Sequence, residues 1–372
     1  MPEKDSASSA ALARAGNRKK LRKAVRCVLF LLLLGYLLLH ISYVLRQVKW
    51  RYNRNTFPGF YGEADDSLDI VTMGSSACYL FFDTPLLYEN FGYTSYNLGV
   101  PSEPVTAVPY LMEEVEKSQS PELYVVEARK YIKKPGKYFV RTLYLLTDSM
   151  NLNLTKWNMI RHSFSSIAKC VQDFLDLWKH HSFWSELTTD KFKYWNNSIT
   201  LEMKGWRNRT KVKPIEKPDT FGDIPAMPLD EENERELRSL LEECRAKGRE
   251  VLFVIVPFSY GEAFEAKKKT FCEIVESYGF RCLDLTDGES YGLDYSRDFW
   301  DSRHVNYRGA EKVTNMLGEY IEKEYNIQAQ HTAEVKADWD RYAARNRENV
   351  QAILAGEEAS ADEAVEEEDF ES

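Results

Sequence analysis

Cysteine is scarce in this 372-residue sequence, and its six copies lack the spacing of a metal site or a redox motif. No Cys-x-x-Cys pair occurs, and Cys27 falls within a long apolar run, which leaves five cysteines for the rest of the chain. An obligatory disulfide framework is therefore not expected, although a single bridge remains open. With 44% hydrophobic residues, a chain of this length can bury an ordinary core without crosslinks. We predict neither a metal nor a cofactor.

An excess of positive charge is also missing. The net charge is −9, and the stretch 357–372 carries nine acidic and no basic side chains, so the rest of the chain is neutral. A neutral globular part has no electrostatic basis for binding nucleic acid, and no nucleic-acid partner is predicted. The acidic end is predicted to be a solvated, disordered tail.

Long hydrophobic runs are absent except at residues 27–45, where CVLFLLLLGYLLLHISYVL is long enough for one bilayer crossing. A cleavable signal peptide is the alternative, but RQVKWRYNR follows the run and contains no small-x-small cleavage site. The basic flank before the run is denser than the one after it, which favours a cytoplasmic N-terminus. We therefore predict a single-pass protein of the cell membrane, with a cytoplasmic basic segment at 1–24, an uncleaved transmembrane anchor at 25–45, a linker at 46–66 and an extracytoplasmic remainder.

Strand-like and helical stretches alternate along the rest of the chain. The predicted strands are 68–73, 94–99, 122–128, 250–257 and 280–286, and the predicted helices are 77–90, 103–118, 229–248, 261–279 and 308–325. Such alternation is typical of an α/β fold in which crossover helices cover both faces of a parallel sheet, giving three layers. The main globular domain is predicted at 67–328, and a C-terminal helix followed by the acidic tail is predicted at 329–372.

The alternation is interrupted at 133–228, a stretch rich in Trp, Tyr, Phe and Leu, as in SIAKCVQDFLDLWKHHSFWSEL. We predict a mainly helical insertion over one end of the sheet. Its aromatic side chains are expected to be core residues rather than the lining of a ligand site.

Two serines stand where the first predicted strand passes into a helix, in DIVTMGSSACYLFF. In parallel α/β sheets, ligands bind beyond the carboxyl ends of the strands, and Ser75 and Ser76 lie at such an end. A serine in the first turn of a helix is near backbone N–H groups and the positive end of the helix dipole, both suited to a developing oxyanion. The alternative is that a serine here only caps the helix.

A nucleophilic serine needs a base, and His304 is the best placed of the six histidines. It stands in DFWDSRHVNYRGAEKVT, before the last predicted helix, with Asp301 three residues upstream. At that spacing a carboxylate can hold Nδ1–H of the imidazole and leave Nε2 facing a serine. An Asp-x-x-His pair alone is not specific for catalysis. The prediction of a serine nucleophile with a histidine base depends on the combination of this pair with the serines and the α/β pattern.

Two stretches of the sequence resemble the first two blocks of the SGNH, or GDSL-type, hydrolase superfamily. DIVTMGSSACYL is similar to the first block, with Ser75 where Asp is usual and Ser76 at the position of the nucleophile. YNLGVPSEP is similar to the second block. The resemblance implies an oxyanion hole formed by the backbone N–H groups of Ser76 and Gly99.

The stretch DSRHVNYRGAEKVT resembles the last block of the same superfamily, including the Asn306 and Gly309 that often follow the histidine. The resemblance covers about residues 67–326. It implies a flavodoxin-like sheet and a catalytic triad completed by His304 and Asp301.

The third block departs from the superfamily pattern. It usually supplies an oxyanion-hole Asn in a Gly-x-Asn-Asp setting, whereas LYVVEARKY offers Glu127 and Arg129. Membrane-anchored relatives similar to the DltD proteins of teichoic-acid D-alanylation and the AlgJ/AlgX proteins of alginate acetylation also vary the blocks. Arg129 is a candidate contact for the oxyanion or for the substrate, with a surface ion pair as the alternative.

The resemblance implies acyl chemistry, expected to be O-acetyl transfer or hydrolysis, on a cell-surface or exported polysaccharide or a teichoic-acid-like polymer. The anchored relatives also imply a membrane-bound O-acyltransferase (MBOAT-type) partner. Two alternatives remain open. One is a catalytically degenerate glycan-binding or scaffold subunit of an acyltransferase complex, and the other is a membrane assembly factor that works through its cytoplasmic basic segment.

Overall fold

The computed structural model describes residues 3–48, 55–133, 139–258 and 260–355. These residues form two units, one drawn from 1–49 and 175–196 and the other from 50–174 and 197–372. The acidic tail and residues 49–54 of the predicted linker lie outside the described residues.

The helices account for most of the regular structure. In chain order the α-helices are α1 Glu3–Leu45, α2 Thr56–Phe60, α3 Ser76–Phe81, α4 Thr84–Phe91, α5 Val108–Val115, α6 Arg129–Ile132, α7 Phe139–Thr147, α8 Leu154–Ser163, α9 Ile167–Phe174, α10 Asp176–His180, α11 Glu231–Lys247, α12 Glu262–Ser277, α13 Tyr307–Glu324 and α14 Ala333–Leu354. The 3₁₀ helices are Val105–Ala107, His181–Glu186, Thr189–Tyr194 and Gly288–Tyr291. Helix α14 lies in the C-terminal segment for which a helix is predicted.

Five strands form one sheet within the described part of the larger unit. They are β1 Ile70–Gly74, β2 Ser95–Gly99, β3 Leu123–Glu127, β4 Val251–Ile255 and β5 Arg281–Asp284. The strand order is β2-β1-β3-β4-β5, and every neighbouring pair is parallel. The α/β fold with a parallel sheet and flanking helices, predicted from the alternation of elements, is confirmed.

Alternate residues of each strand enter two apolar cores, one on each face of the sheet. In β3, Tyr124 and Val126 pack in a core with apolar side chains of α5, α11 and α12. Leu123 and Val125 of the same strand pack in the other core with side chains of α3, α4 and α13. Because helices cover both faces, most strand residues are apolar; Thr72 of β1 and Asn97 of β2 are buried polar exceptions that hydrogen-bond to each other (2.5 Å).

The single helix predicted at 77–90 is wrong, because the chain forms α3 and α4 with a break between them. The side chain of Asp83 accepts a hydrogen bond from the Leu86 N–H (3.0 Å) and caps α4. Pro85 lies in the first turn of α4, where a proline is tolerated, but it could not continue α3 because it has no N–H to donate.

Residues 133–228 are only partly helical. Helices α7 to α10 and two 3₁₀ helices lie in the first part, whereas 197–228 forms turns and extended chain. This irregular part borders the loop before α13, where the Lys213 N–H donates to the Phe299 carbonyl oxygen (2.8 Å). The prediction of a mainly helical insertion therefore fits its first part only, since backbone groups of the second part bond to other parts of the larger unit, such as the Arg207 N–H to the Tyr79 carbonyl oxygen of α3 (2.9 Å).

The smaller unit contains α1, whose portion Arg18–Leu45 is long and apolar enough to cross a membrane. Helix α10 and the two 3₁₀ helices that follow it pack against α1. Trp178 and Trp184 of these helices are 69% and 72% exposed, so the expectation that the aromatics of this stretch are core residues is wrong for both.

Each cysteine among the described residues is a free thiol. The sulfur of Cys272 on α12 lies 2.7 Å from that of Cys282 on β5. The single bridge left open by the sequence would fall on this pair.

Candidate active site

A sharp turn after β1 directs the two adjacent serines to different partners. Gly74, the last residue of β1, has φ = 142°, and a Cβ at this position would lie 2.6 Å from the Cβ of Glu127. Only glycine accommodates both the conformation and the close approach. Ser75 is extended, and α3 begins at Ser76. The chain therefore passes from strand to helix within three residues.

Ser76 lies at one end of a hydrogen-bonded row of three side chains. Its Oγ is 2.7 Å from Nε2 of His304, and Nδ1 of His304 is 2.9 Å from Oδ2 of Asp301 and 3.1 Å from Oδ1. The carboxylate holds the ring proton on Nδ1, which leaves Nε2 to accept a proton from the serine. The structure thus brings together the three residues that the sequence predicts as a triad.

The loop before α13 holds the aspartate and the histidine at the required spacing. An antiparallel bridge between Phe299 and Val305 closes the loop, and the Trp300 N–H donates to the His304 carbonyl oxygen (2.9 Å). Oδ1 of Asp301 also accepts from the His304 backbone N–H (2.8 Å). Backbone contacts therefore orient this carboxylate in addition to its contact with the ring.

The Asp301 carboxyl group is held in its charged form. Burial raises its pKa, but hydrogen bonds and charge from the His304 ring, with backbone N–H groups of Arg303 and His304, lower it by more. The net pKa is below the ordinary value of an aspartate. Asp301 is therefore ionised at neutral pH and can stabilise an imidazolium.

Ser75 belongs to a second cluster, made of Ser75, Glu127 and Arg129. The Ser75 Oγ donates to Oε2 of Glu127 (2.6 Å) and accepts from Nη2 of Arg129 (2.6 Å). Oε1 of Glu127 accepts from the Arg129 N–H (2.8 Å). Ser75 occupies the N-cap position of α3, but its side chain makes no capping hydrogen bond. Helix capping therefore does not explain this serine.

Glu127 is a residue whose part in the site the sequence analysis missed, since it names Glu127 only as a departure from the third block. Its side chain is fully buried, and the Arg129 side chain is 7% exposed, so their ion pair is buried rather than on the surface. Glu127 ends β3, and β3 pairs with β1, so this carboxylate meets the serine turn at the edge of the sheet. An acidic residue at the end of a predicted strand could have pointed to Glu127 as a site residue. Its contact with Ser75, however, depends on which strands are neighbours, and the sequence does not show this.

Gly99 ends β2 directly beside Gly74 of β1. A Cβ at Gly99 would lie 2.7 Å from the Gly74 carbonyl oxygen and 2.9 Å from the Cβ of Cys78 on α3. Only a residue without a side chain allows this approach. The backbone of Gly99 therefore borders the turn that carries Ser76, the other predicted contributor to an oxyanion hole.

Asn306 and Gly309 fix the start of α13 behind His304. Oδ1 of Asn306 accepts from the Arg308 N–H (3.0 Å), which caps the helix. A Cβ at Gly309 would lie 2.4 Å from the Asp298 carbonyl oxygen. Both residues thus have a positioning role in the structure.

Two lysines, Lys130 and Lys133, closely follow Arg129 in the sequence. Burial, followed by the charge of Arg129, lowers the pKa of Lys130 to about 8 and also lowers the pKa of Lys133. Arg303, which precedes His304, acts in the same direction on both lysines. Glu127 acts on both lysines in the opposite direction, so cationic and anionic groups meet at this edge of the sheet.

A second histidine–carboxylate pair lies at the opposite edge of the sheet. Nε2 of His331 is 2.9 Å from Oδ2 of Asp69 and 3.2 Å from Oγ1 of Thr94. Asp69 and Thr94 directly precede β1 and β2, so this pair lies at the amino ends of the strands. Ligands of parallel sheets bind at the carboxyl ends, which favours a structural role for His331.

Comparison with known protein-family models gives no match, and comparison with curated proteins gives no significant match.

Proposed function

We propose that this protein is a membrane-anchored serine acyltransferase or esterase. It acts outside the cytoplasm on acyl groups, expected to be O-acetyl, of a cell-surface or exported polysaccharide. The observation that carries the proposal is the contact of the Ser76 Oγ with Nε2 of His304 (2.7 Å), with Asp301 on the other ring nitrogen (2.9 Å).

In the proposed reaction, the Ser76 Oγ attacks the acyl carbonyl carbon while Nε2 of His304 takes the hydroxyl proton. The backbone N–H groups of Ser76 and Gly99 stabilise the oxyanion of the tetrahedral intermediate. His304 then protonates the leaving group, and an acyl-enzyme remains on Ser76. A sugar hydroxyl or water, deprotonated by His304, attacks the acyl-enzyme and regenerates the serine. Transfer and hydrolysis use the same residues and differ in the acceptor.

The strand order supports the resemblance to SGNH hydrolases. An order of 2-1-3-4-5 is that of flavodoxin-like sheets, in which the order reverses between β1 and β3. Ligands bind at this reversal because the connections from the two strands leave on opposite sides. Ser76 follows β1 and Arg129 follows β3, so both candidate groups stand at the reversal.

The proposed partners follow from the resemblance to DltD and AlgJ/AlgX. An MBOAT-type membrane O-acyltransferase would supply the acyl group, and a polysaccharide or teichoic-acid-like polymer would accept it. Anchoring through α1, with the N-terminus in the cytoplasm, would place the triad on the side of the membrane where such polymers are modified. Arg129 remains a candidate substrate contact, because its buried cluster directly adjoins Ser76.

A fluorophosphonate probe tests the nucleophile in the full chain solubilised in detergent. We expect one probe per chain, located on Ser76 by peptide mass spectrometry. Ser76→Ala should abolish labelling, while Ser75→Ala, the matched control one residue away, should be labelled. A folded wild-type chain that neither labels nor cleaves an activated acetyl ester would contradict the proposal.

The second candidate is a catalytically degenerate subunit that binds glycan or scaffolds an acyltransferase complex. The altered third block favours it, because Glu127 and Arg129 are engaged with each other and with Ser75 where the superfamily has an oxyanion-hole Asn. This candidate predicts that Ser76→Ala supports polymer acylation in cells as well as the wild type does. The enzyme proposal predicts that it does not.

A further inference from the structure

Helix α1 shares its unit with the aromatic segment Leu175–Asn196. We propose that this segment lies in the lipid–water interface of the membrane that α1 crosses, with Trp178 and Trp184 at the level of the lipid headgroups. The inference rests on the proposed anchoring by α1 and concerns a second membrane contact, made by residues far from the anchor in sequence.

The depth of the contact follows from His40. Its Nδ1 lies 2.5 Å from the Trp195 carbonyl oxygen, and its ring stacks on the Trp195 ring at 5.0 Å with an interplanar angle of 13°. His40 precedes the end of α1 at Leu45 by five residues, or about 7.5 Å along the helix axis. A polar side chain this far inside an apolar run needs a partner. The segment supplies that partner, and so it reaches the outer part of the span.

Another aromatic contact agrees with this placement. The Tyr36 ring, one turn before His40 on α1, lies 6.4 Å from the Trp195 ring. This contact and those of His40 cover one side of α1 near its C-terminal end. Leu33 and Leu37 remain 57% and 43% exposed, as expected for side chains that face lipid.

The segment presents its own large aromatic side chains outward. Trp178, Trp184 and Phe192 are exposed although each belongs to a helix that packs against α1. Trp is enriched at membrane–water interfaces because its ring is amphipathic, with an apolar body and one N–H donor. Exposed tryptophans beside the end of a membrane-spanning helix therefore fit lipid headgroups better than water.

Lipid is favoured over a protein partner because these side chains belong to helices that pack against α1, whose own side chains Leu31, Leu33 and Leu37 are also exposed. Lys191 and Lys193 also stand among the aromatic residues, and the Lys193 ammonium lies 5.3 Å from the centre of the Tyr194 ring. Lysines can lay their apolar stems on such a surface and keep their charge at the headgroups. Lys191 also pairs with Asp190 (3.2 Å), and the three lysines of the segment are balanced by three acidic residues, so its aromatic side chains rather than a net charge suit it to the interface.

Quenching of tryptophan emission tests the proposal in the full chain. The protein is reconstituted in phosphatidylcholine vesicles whose acyl chains carry bromine near the headgroup or near the terminal methyl. We expect stronger quenching by the shallow bromines. The double variant Trp178→Phe/Trp184→Phe should lose about half of that quenching or more, because interfacial rings are within reach of the bromines. Trp339→Phe, which removes a buried tryptophan of the other unit, is the matched control and should retain the quenching.

Alkaline carbonate extraction of the same vesicles distinguishes anchoring by α1 from the interfacial placement of the aromatic segment. A chain that resists extraction, with equal quenching in the double variant and the wild type, would overturn the interfacial placement and leave the anchor intact. A chain released by carbonate would overturn both. If the bromines do not quench Trp178 and Trp184, and the emission of these residues changes only when a partner protein is added, the lipid contact is overturned in favour of a protein contact.

Discussion

Ser76 and Ser75 are adjacent, but they belong to regions with opposite properties. The triad of Ser76, His304 and Asp301 is partly open to solvent, and the Asp301 side chain is 28% exposed. The cluster of Ser75, Glu127 and Arg129 is buried behind it. The first region is accessible to a substrate, whereas the second is shielded from solvent and holds the serine turn in place. The same residue type is thus expected to act in chemistry at one position and in stability at the next.

The largest expected effect concerns the open region. Ser76→Ala and His304→Ala should each reduce turnover of an activated acetyl ester by about a thousandfold or more, as in other serine triads, because each removes a member that acts as a unit with the others. Their melting temperatures, followed by circular dichroism, should stay close to that of the wild type. His331→Ala removes the histidine at the opposite edge of the sheet and should leave turnover unchanged. Wild-type turnover by a folded Ser76→Ala chain would mean that the triad assignment is wrong.

Asp301→Asn should reduce turnover by somewhat less than deleting the base does, since it perturbs the tautomer and orientation of His304 without removing the imidazole. It should also change the pH dependence of stability. The pKa of Asp301 is lowered in the folded state, so its stabilisation is present above the unfolded value of about 3.9 and is lost as the pH falls through the folded value. The difference in melting temperature between wild type and variant should therefore be constant near neutrality and shrink below about pH 4. A difference that grows on acidification would contradict the assignment.

Glu127→Gln tests the buried region. The substitution leaves Arg129 without its carboxylate and disturbs the bonds to Ser75, so we expect a loss of about 2 kcal/mol in the free energy of unfolding. Turnover should fall by only about tenfold, through displacement of the serine turn. Asp69→Asn is the matched control, because it breaks a buried acid–histidine pair at the other edge and should lower stability without affecting turnover. A thousandfold loss of turnover in a stable Glu127→Gln chain would show that the buried cluster takes part in the chemistry.

Ser75→Ala should have the smallest effect. Turnover should remain above about a tenth of the wild-type value, and stability should fall by about 1 kcal/mol, the typical value of one neutral hydrogen bond. In a Glu127→Gln background the same substitution should cost less than it does alone, because the two side chains share one hydrogen bond and their effects are coupled. Denaturant unfolding of the four chains measures this coupling, and strict additivity would show that the two residues act independently.

The sequence by itself determined the class of fold and predicted the three side chains that meet at the carboxyl edge of the sheet. Alternating strands and helices require crossover connections, and these dictate a parallel sheet whose carboxyl edge receives both Ser76 and the loop of His304. Asp301 and His304 are only three residues apart, so the sequence alone predicts that the carboxylate can reach the imidazole. The long apolar run in α1 was equally visible, because length and composition alone decide it.

Only the tertiary structure decided which strands are neighbours and which side chains are covered. Glu127 reaches Ser75 because β3 pairs with β1, and His331 reaches Asp69 because the chain returns to the amino ends of the strands. Trp178 is exposed, although its aromatic side chain was expected to lie in the core. These outcomes depend on contacts between residues far apart in sequence, and no local pattern of hydrophobicity or turn chemistry encodes them.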